Sequence, residues 1–122
     1  AFNRGIWKKL EDFIRKWAAK EKELFIVTGP IVKPGYSQIG HMNKVAVPQF
    51  YYKVILRYDN RNKKAIGFIL PNEGSQQPLS MYSVSVDSVE SVTGLNFFPN
   101  LPDEEEKELE SKVQRWKWQW TF

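Results

Sequence analysis

Two apolar runs separated by a short polar stretch constrain this chain most. Residues 51–58 read Tyr-Tyr-Lys-Val-Ile-Leu-Arg-Tyr and residues 65–70 read Ala-Ile-Gly-Phe-Ile-Leu, with Asp59-Asn60-Arg61-Asn62 between them. β-Branched and aromatic residues suit a pleated, half-buried surface, while Asp and Asn are turn formers. The pattern predicts an antiparallel hairpin, which commits the chain to a mainly antiparallel sheet.

The flanking segments supply the rest of an α+β architecture. Ile6, Trp7, Leu10, Phe13, Ile14 and Trp17 recur at spacings of three and four, so residues 3–20 are predicted to be a helix with one apolar stripe. Asn3 stands where an N-cap belongs. Leu24-Phe25-Ile26-Val27-Thr28 reads as a central, buried strand stopped by Gly29-Pro30. Residues 31–43 read as loop, residues 45–47 as the approach to the hairpin, and residues 71–78 as a polar loop. Residues 79–84 are predicted to be an edge strand and residues 86–92 a short helix closed by Gly94. A last helix is expected over residues 102–118, with Leu109, Val113, Trp116 and Trp120 as its stripe. Trp116 and Trp120 are then expected inside and Trp118 elsewhere.

Composition narrows the chemistry. The chain has 122 residues, a length that suits one domain, 1–122. With no cysteine, it has no disulfide scaffold, thiolate metal site or cysteine nucleophile. No apolar run approaches the roughly 20 residues that span a bilayer. The opening Ala-Phe-Asn-Arg-Gly carries neither an initiator Met nor a signal pattern, so the start is expected to be a processed end or a point inside a longer protein.

Charge is unevenly placed. The net charge is +4, yet residues 101–122 hold Asp103, Glu104, Glu105, Glu106, Glu108 and Glu110 against four bases, leaving residues 1–100 at +6. A basic body fits a polyanion partner. The acids open the last helix and its bases, Lys112, Arg115 and Lys117, are expected near its end. That order complements the helix macrodipole and needs no metal.

Generic catalytic patterns are sparse. The one histidine, His41, falls in a predicted loop with no acid or nucleophile spaced to support it. The first helix is more informative. Asn3 and Glu11 are separated by about 12 Å of rise and roughly 80° around the axis. Both can address one hydrated cation near the helix start, Asn3 directly and Glu11 through a water. Arg15, one turn past Glu11, can pair with it or reach a phosphate. The same residues also read as an N-cap and a surface ion pair.

Several blocks in order extend the pattern over nearly the whole chain. They are Phe2-Asn3-Arg4-Gly5-x-Trp7-x-x-Leu10-Glu11, Val27-Thr28-Gly29-Pro30, Ile39-Gly40 and Val45-Ala46-Val47-Pro48, then Phe50-Tyr51-Tyr52-Lys53-Val54-Ile55-Leu56, Ala65-Ile66-Gly67-Phe68-Ile69-Leu70-Pro71-Asn72 and Thr93-Gly94-Leu95-Asn96-Phe97-Phe98-Pro99. On these blocks the chain resembles the DNA/RNA non-specific endonucleases of the ββα-metal, endonuclease G-like type. The resemblance implies an antiparallel sheet packed with helices and a phosphodiester hydrolase that cuts DNA and RNA. It implies Asn3 as the one protein ligand of a single Mg²⁺ (or Mn²⁺). It also implies that Glu11 holds a water on that metal, and that Arg15, with Arg4, contacts substrate.

The family's general base is a histidine in an Asp-Arg-Gly-His motif upstream of this helix. That motif is not in this sequence, and His41 does not match its position. The chain is therefore expected to be the C-terminal portion of such a domain, partnered by the missing N-terminal part and inactive or nearly so alone. Dimers are common in the family, and its members are exported bacterial or organellar proteins; the exported setting is expected here. The alternatives are a non-catalytic nucleic-acid-binding domain that retains the fold, and a structural domain without a nucleic-acid partner.

Overall fold

A computed structural model describes residues 4–31, 50–59, 62–71 and 77–121. Asn3, His41, residues 45–47 and nearly all of the predicted loop over 31–43 lie outside the described residues. The observed order is α1 (Arg4–Glu21), β1 (Phe25–Ile31), β2 (Phe50–Tyr58), β3 (Lys63–Pro71), a 3₁₀ turn (Leu79–Tyr82), β4 (Ser83–Val84), α2 (Val86–Thr93) and α3 (Asp103–Ser111). A further 3₁₀ turn covers Arg115–Lys117. The four strands form one antiparallel sheet in chain order. The fold is α+β, as predicted.

The hairpin is the spine of the sheet. β2 and β3 pair in register from Phe50↔Pro71 to Tyr58↔Lys63. At the turn, Asn62 N–H donates to Asp59 Oδ1 at 2.7 Å. Because strand side chains alternate in direction, β2 and β3 supply two cores. Ile55, Ile66, Phe68 and Leu70 meet Ile6, Leu10, Ile14 and Trp17 of α1 on one face. Tyr52, Val54, Leu56 and Ala65 meet Val86, Val89 and Leu109 on the other. The sheet is thus the middle of three layers, which accounts for its nearly continuous apolar runs. Just past α1, Lys22 adopts φ 73° and donates its N–H to the Ala18 carbonyl at 2.8 Å.

Three expectations change. β1 is neither central nor stopped by Gly29-Pro30. It runs on to Ile31, with Gly29 opposite Tyr52 and Pro30 opposite Tyr51. Among the described residues it pairs on one side only, leaving Phe25 and Ile26 exposed. An edge strand tolerates proline because one row of its N–H groups is unpaired. Residues 79–84 form a 3₁₀ turn and a two-residue strand, because the Ser83 hydroxyl donates to the Ser80 carbonyl at 2.6 Å and closes the chain into a turn.

The last helix stops at Ser111, where Lys112 turns extended. Lys112, Arg115 and Lys117 therefore lie beyond it, and the dipole argument holds only for Asp103, Glu104, Glu105 and Glu106, since Glu110 falls in the last turn. The stripe is also displaced: Trp118 is 3% exposed and Trp116 75% exposed. After α3 the chain passes from the α2/α3 side of the sheet to the α1 side. There Trp118 and Trp120 stand 4.9 and 5.3 Å from the Trp17 ring. Trp17 Nε1 donates to the Gln119 carbonyl at 2.6 Å, holding the crossing segment. The short helix behaves as predicted. Ser85 accepts from Ser88 N–H at its start, and Gly94 caps its end at φ 74°, a conformation that glycine adopts without strain.

Candidate active site

α1 presents Glu11 and Arg15 one turn apart on its exposed side. Arg15 pairs with Asp12, not with Glu11. An exposed ion pair of this kind adds little to stability, so Arg15 can exchange partners at small cost. Asn3 and the Arg4 side chain lie outside the described residues.

The structure adds a residue that pattern reading missed. Lys53, in the middle of β2, is 8% exposed and its Nζ stands 4.6 Å from the Trp7 ring centroid. Burial lowers the pKa of its ammonium, and the negative charge of Glu11 pushes it back up. A positive charge is thus held in the sheet close enough to attract the Glu11 carboxylate. The signal was present in the sequence: a lysine interrupts an apolar strand at a position facing α1.

Beside Lys53, Trp7 meets Tyr51 edge-on, with ring centroids 5.9 Å apart. These rings and Thr28, Gly29 and Pro30 line an open groove of about 310 Å³. A Cβ on Gly29 would lie 2.6 Å from the Tyr52 hydroxyl oxygen, so a side chain there would displace the Tyr52 ring. An accessible carboxylate, an accessible guanidinium and a buried ammonium can together receive a hydrated cation and a phosphate. Hard cations that retain water suit a sparse oxygen donor set, so Glu11 fits the metal that the family resemblance implies.

Other ions on this face have structural partners. Lys64 Nζ donates to Glu21 at 2.6 Å and to the Lys117 carbonyl at 2.7 Å. Arg57 and Asn62 also approach Glu21. At the sheet end, Lys63 Nζ donates to Glu105 at 2.6 Å, and the Tyr58 hydroxyl donates to the same carboxylate. Among the described residues no helix is long and apolar enough to cross a membrane.

Comparison with known proteins gives the frame for this site. A family model described as DNA/RNA non-specific endonuclease matches residues 1–104. Nuclease C1 of Cunninghamella echinulata var. echinulata is 38% identical over 111 residues, covering 82% of this chain and 44% of that protein. Nuclease EXOG, mitochondrial, of Danio rerio is 34% identical over 122 residues, covering 88% and 35%. A chain in a crystal structure of the EndoG/EndoGI complex superposes with a TM-score of 0.70 at 29% identity, covering 85% of this chain and 47% of that one. This chain spans less than half the length of these proteins. Its sheet and helices match the ββα-metal nuclease fold of the EndoG chain. The chain belongs to the DNA/RNA non-specific endonuclease family.

Proposed function

We propose that this chain is the C-terminal, metal-binding portion of an endonuclease domain that hydrolyses phosphodiester bonds of DNA and RNA. The observation that carries the proposal is the side-by-side placement of Glu11 and Arg15 on the exposed face of α1, above the buried Lys53. Asn3 would hold Mg²⁺ or Mn²⁺ directly and Glu11 through a water. When bound, such a cation offsets charge on the scissile phosphate and the leaving oxygen. Glu11 orients water by accepting its hydrogen bonds. Arg15 leaves Asp12 for a substrate phosphate, where a charge-assisted bond is stronger, and Arg4 contacts the same strand. Lys53 holds the Glu11 carboxylate toward the sheet and adds positive potential beneath the phosphate path. Contacts to phosphate rather than base edges give little sequence preference and strong salt dependence.

No residue of this chain is assigned as general base. That role falls to an upstream histidine segment, the missing partner of this portion. A general base contributes about 10²–10⁴-fold to rate. The purified chain is therefore expected to leave plasmid DNA essentially uncut in Mg²⁺. Supplying the histidine-bearing segment should raise cleavage by about that factor, and Asn3→Ala or Glu11→Gln should remove the gain. Mg²⁺-dependent cleavage by the chain alone, lost in Asn3→Ala, would overturn the division of labour. Binding without cleavage in the completed protein would leave a non-catalytic nucleic-acid-binding domain instead. Relatives named as mitochondrial nucleases support an organellar setting over an exported one.

A further inference from the structure

The face of the sheet opposite α1 carries carboxylates that the nuclease proposal does not use. Asp87 and Glu90 lie on α2 and Glu110 on α3, with one carboxylate oxygen from each within 4.8 Å of the others. Asp87 is an exposed first-turn acid that the helix dipole explains. Glu110 has no such explanation. It is 1% exposed, and among the described residues no hydrogen-bond donor reaches either oxygen of the ionised group. It stands in the last turn of α3, the negative end of the helix. The side-chain charges acting most strongly on it, from Glu90, Glu106 and Asp87, are all acids. Burial first, and then the hydrogen bond that the protonated group shares with Glu90, push its carboxyl up to about 8. Buried carboxylates are ordinarily paired or bound to metal.

We propose that Asp87, Glu90 and Glu110 form a divalent-cation site that bridges α2 and α3, and that calcium is the ion that fits it. Calcium accepts several carboxylates in a flexible shell, whereas magnesium keeps most of its water and takes one or two carboxylates. Three carboxylates on two helices suit the larger ion. Phe97 N–H donates to Glu90 Oε2 at 2.9 Å and holds that carboxylate in place. Three carboxylates supply only part of the shell, and water completes the six to eight oxygens that calcium takes. The site lies across the sheet from Glu11 and is independent of the nuclease metal.

Thermal melting of the 122-residue chain at pH 7.5 with EDTA, MgCl₂ or CaCl₂ tests this. Millimolar Ca²⁺ should raise Tm by about 5 °C and Mg²⁺ by less. Titration calorimetry in two buffers of different ionisation enthalpy should show proton release on binding. The isosteric Glu110→Gln and the surface variant Asp87→Asn should each reduce the Tm gain, while Glu11→Gln keeps it. No calcium-dependent gain in the natural chain overturns the proposal. So does an undiminished gain in both Glu110→Gln and Asp87→Asn, or a gain that disappears with Glu11→Gln.

Discussion

On the α1 face of the sheet, buried and half-buried ions have partners. Lys64 is enclosed by Glu21, the Lys117 carbonyl and the Trp118 ring, 4.5 Å from its Nζ. Across the same sheet, Glu110 is equally buried, yet its strongest side-chain electrostatic neighbours are other acids. A buried charge costs several kcal/mol in lost hydration unless partners replace the water. Around Lys64 the first face replaces it with a network, and at Glu110 the second leaves it to a proton or a bound cation. Burial alone therefore does not mark a functional group; a buried charge with no opposite charge beside it is the stronger sign.

The largest effects should come from breaking the paired face. Trp118→Ala removes a fully packed ring against Trp17 and should cost about 3–5 kcal/mol. Trp116→Ala, on the exposed neighbour two positions away, should stay within about 0.5 kcal/mol. Chemical denaturation measures both, and equal costs would refute the observed crossing of the tail. Lys64→Ala should cost about 3 kcal/mol, because Glu21 stays buried with only Arg57 and Asn62 beside it.

The α2/α3 face should answer to pH. In metal-free buffer the unfolded chain releases the Glu110 proton near the ordinary value of 4.5, while the folded chain keeps it to about 8. Between those values the folded state binds more protons, so stability falls as pH rises. Tm measured from pH 5 to 8 should therefore decline, and Glu110→Gln should flatten the decline. Glu105 gives the opposite sign. Hydrogen bonding from Lys63 first, then Tyr58, holds its carboxyl below the ordinary value, so its contribution is lost as pH falls. The smallest effect lies outside both faces. Lys22→Gly relieves the left-handed backbone at the end of α1 and should stabilise by about 0.5 kcal/mol.

Much of this was legible in the chain itself. The α1 stripe, the hairpin and the Gly94 cap follow from local periodicity and turn chemistry, which act over a few neighbouring residues. The errors fell where distant packing outweighed local pattern. Periodicity placed Trp116 inside and Trp118 outside. The helix ended at Ser111 instead, because crossing the sheet lets Trp118 and Trp120 reach Trp17. Local apolarity made β1 central, but its neighbours are decided by pairing, and β2 and β3 took the middle because both their faces are covered.

The candidate site divides the same way. Glu11 and Arg15 could be named from spacing on a helix and from the family resemblance. Lys53 could not be ranked above other lysines until β2 carried it beneath α1. Glu110 looked like one more dipole-matched acid until the packing of α2 on α3 enclosed it with Asp87 and Glu90. Sequence by itself determined α1, the hairpin, α2, the fold class and the family, because these depend on periodicity and ordered motifs. Only the tertiary structure decided which charges lose their water and which partners meet them. Both depend on residues far apart in the chain.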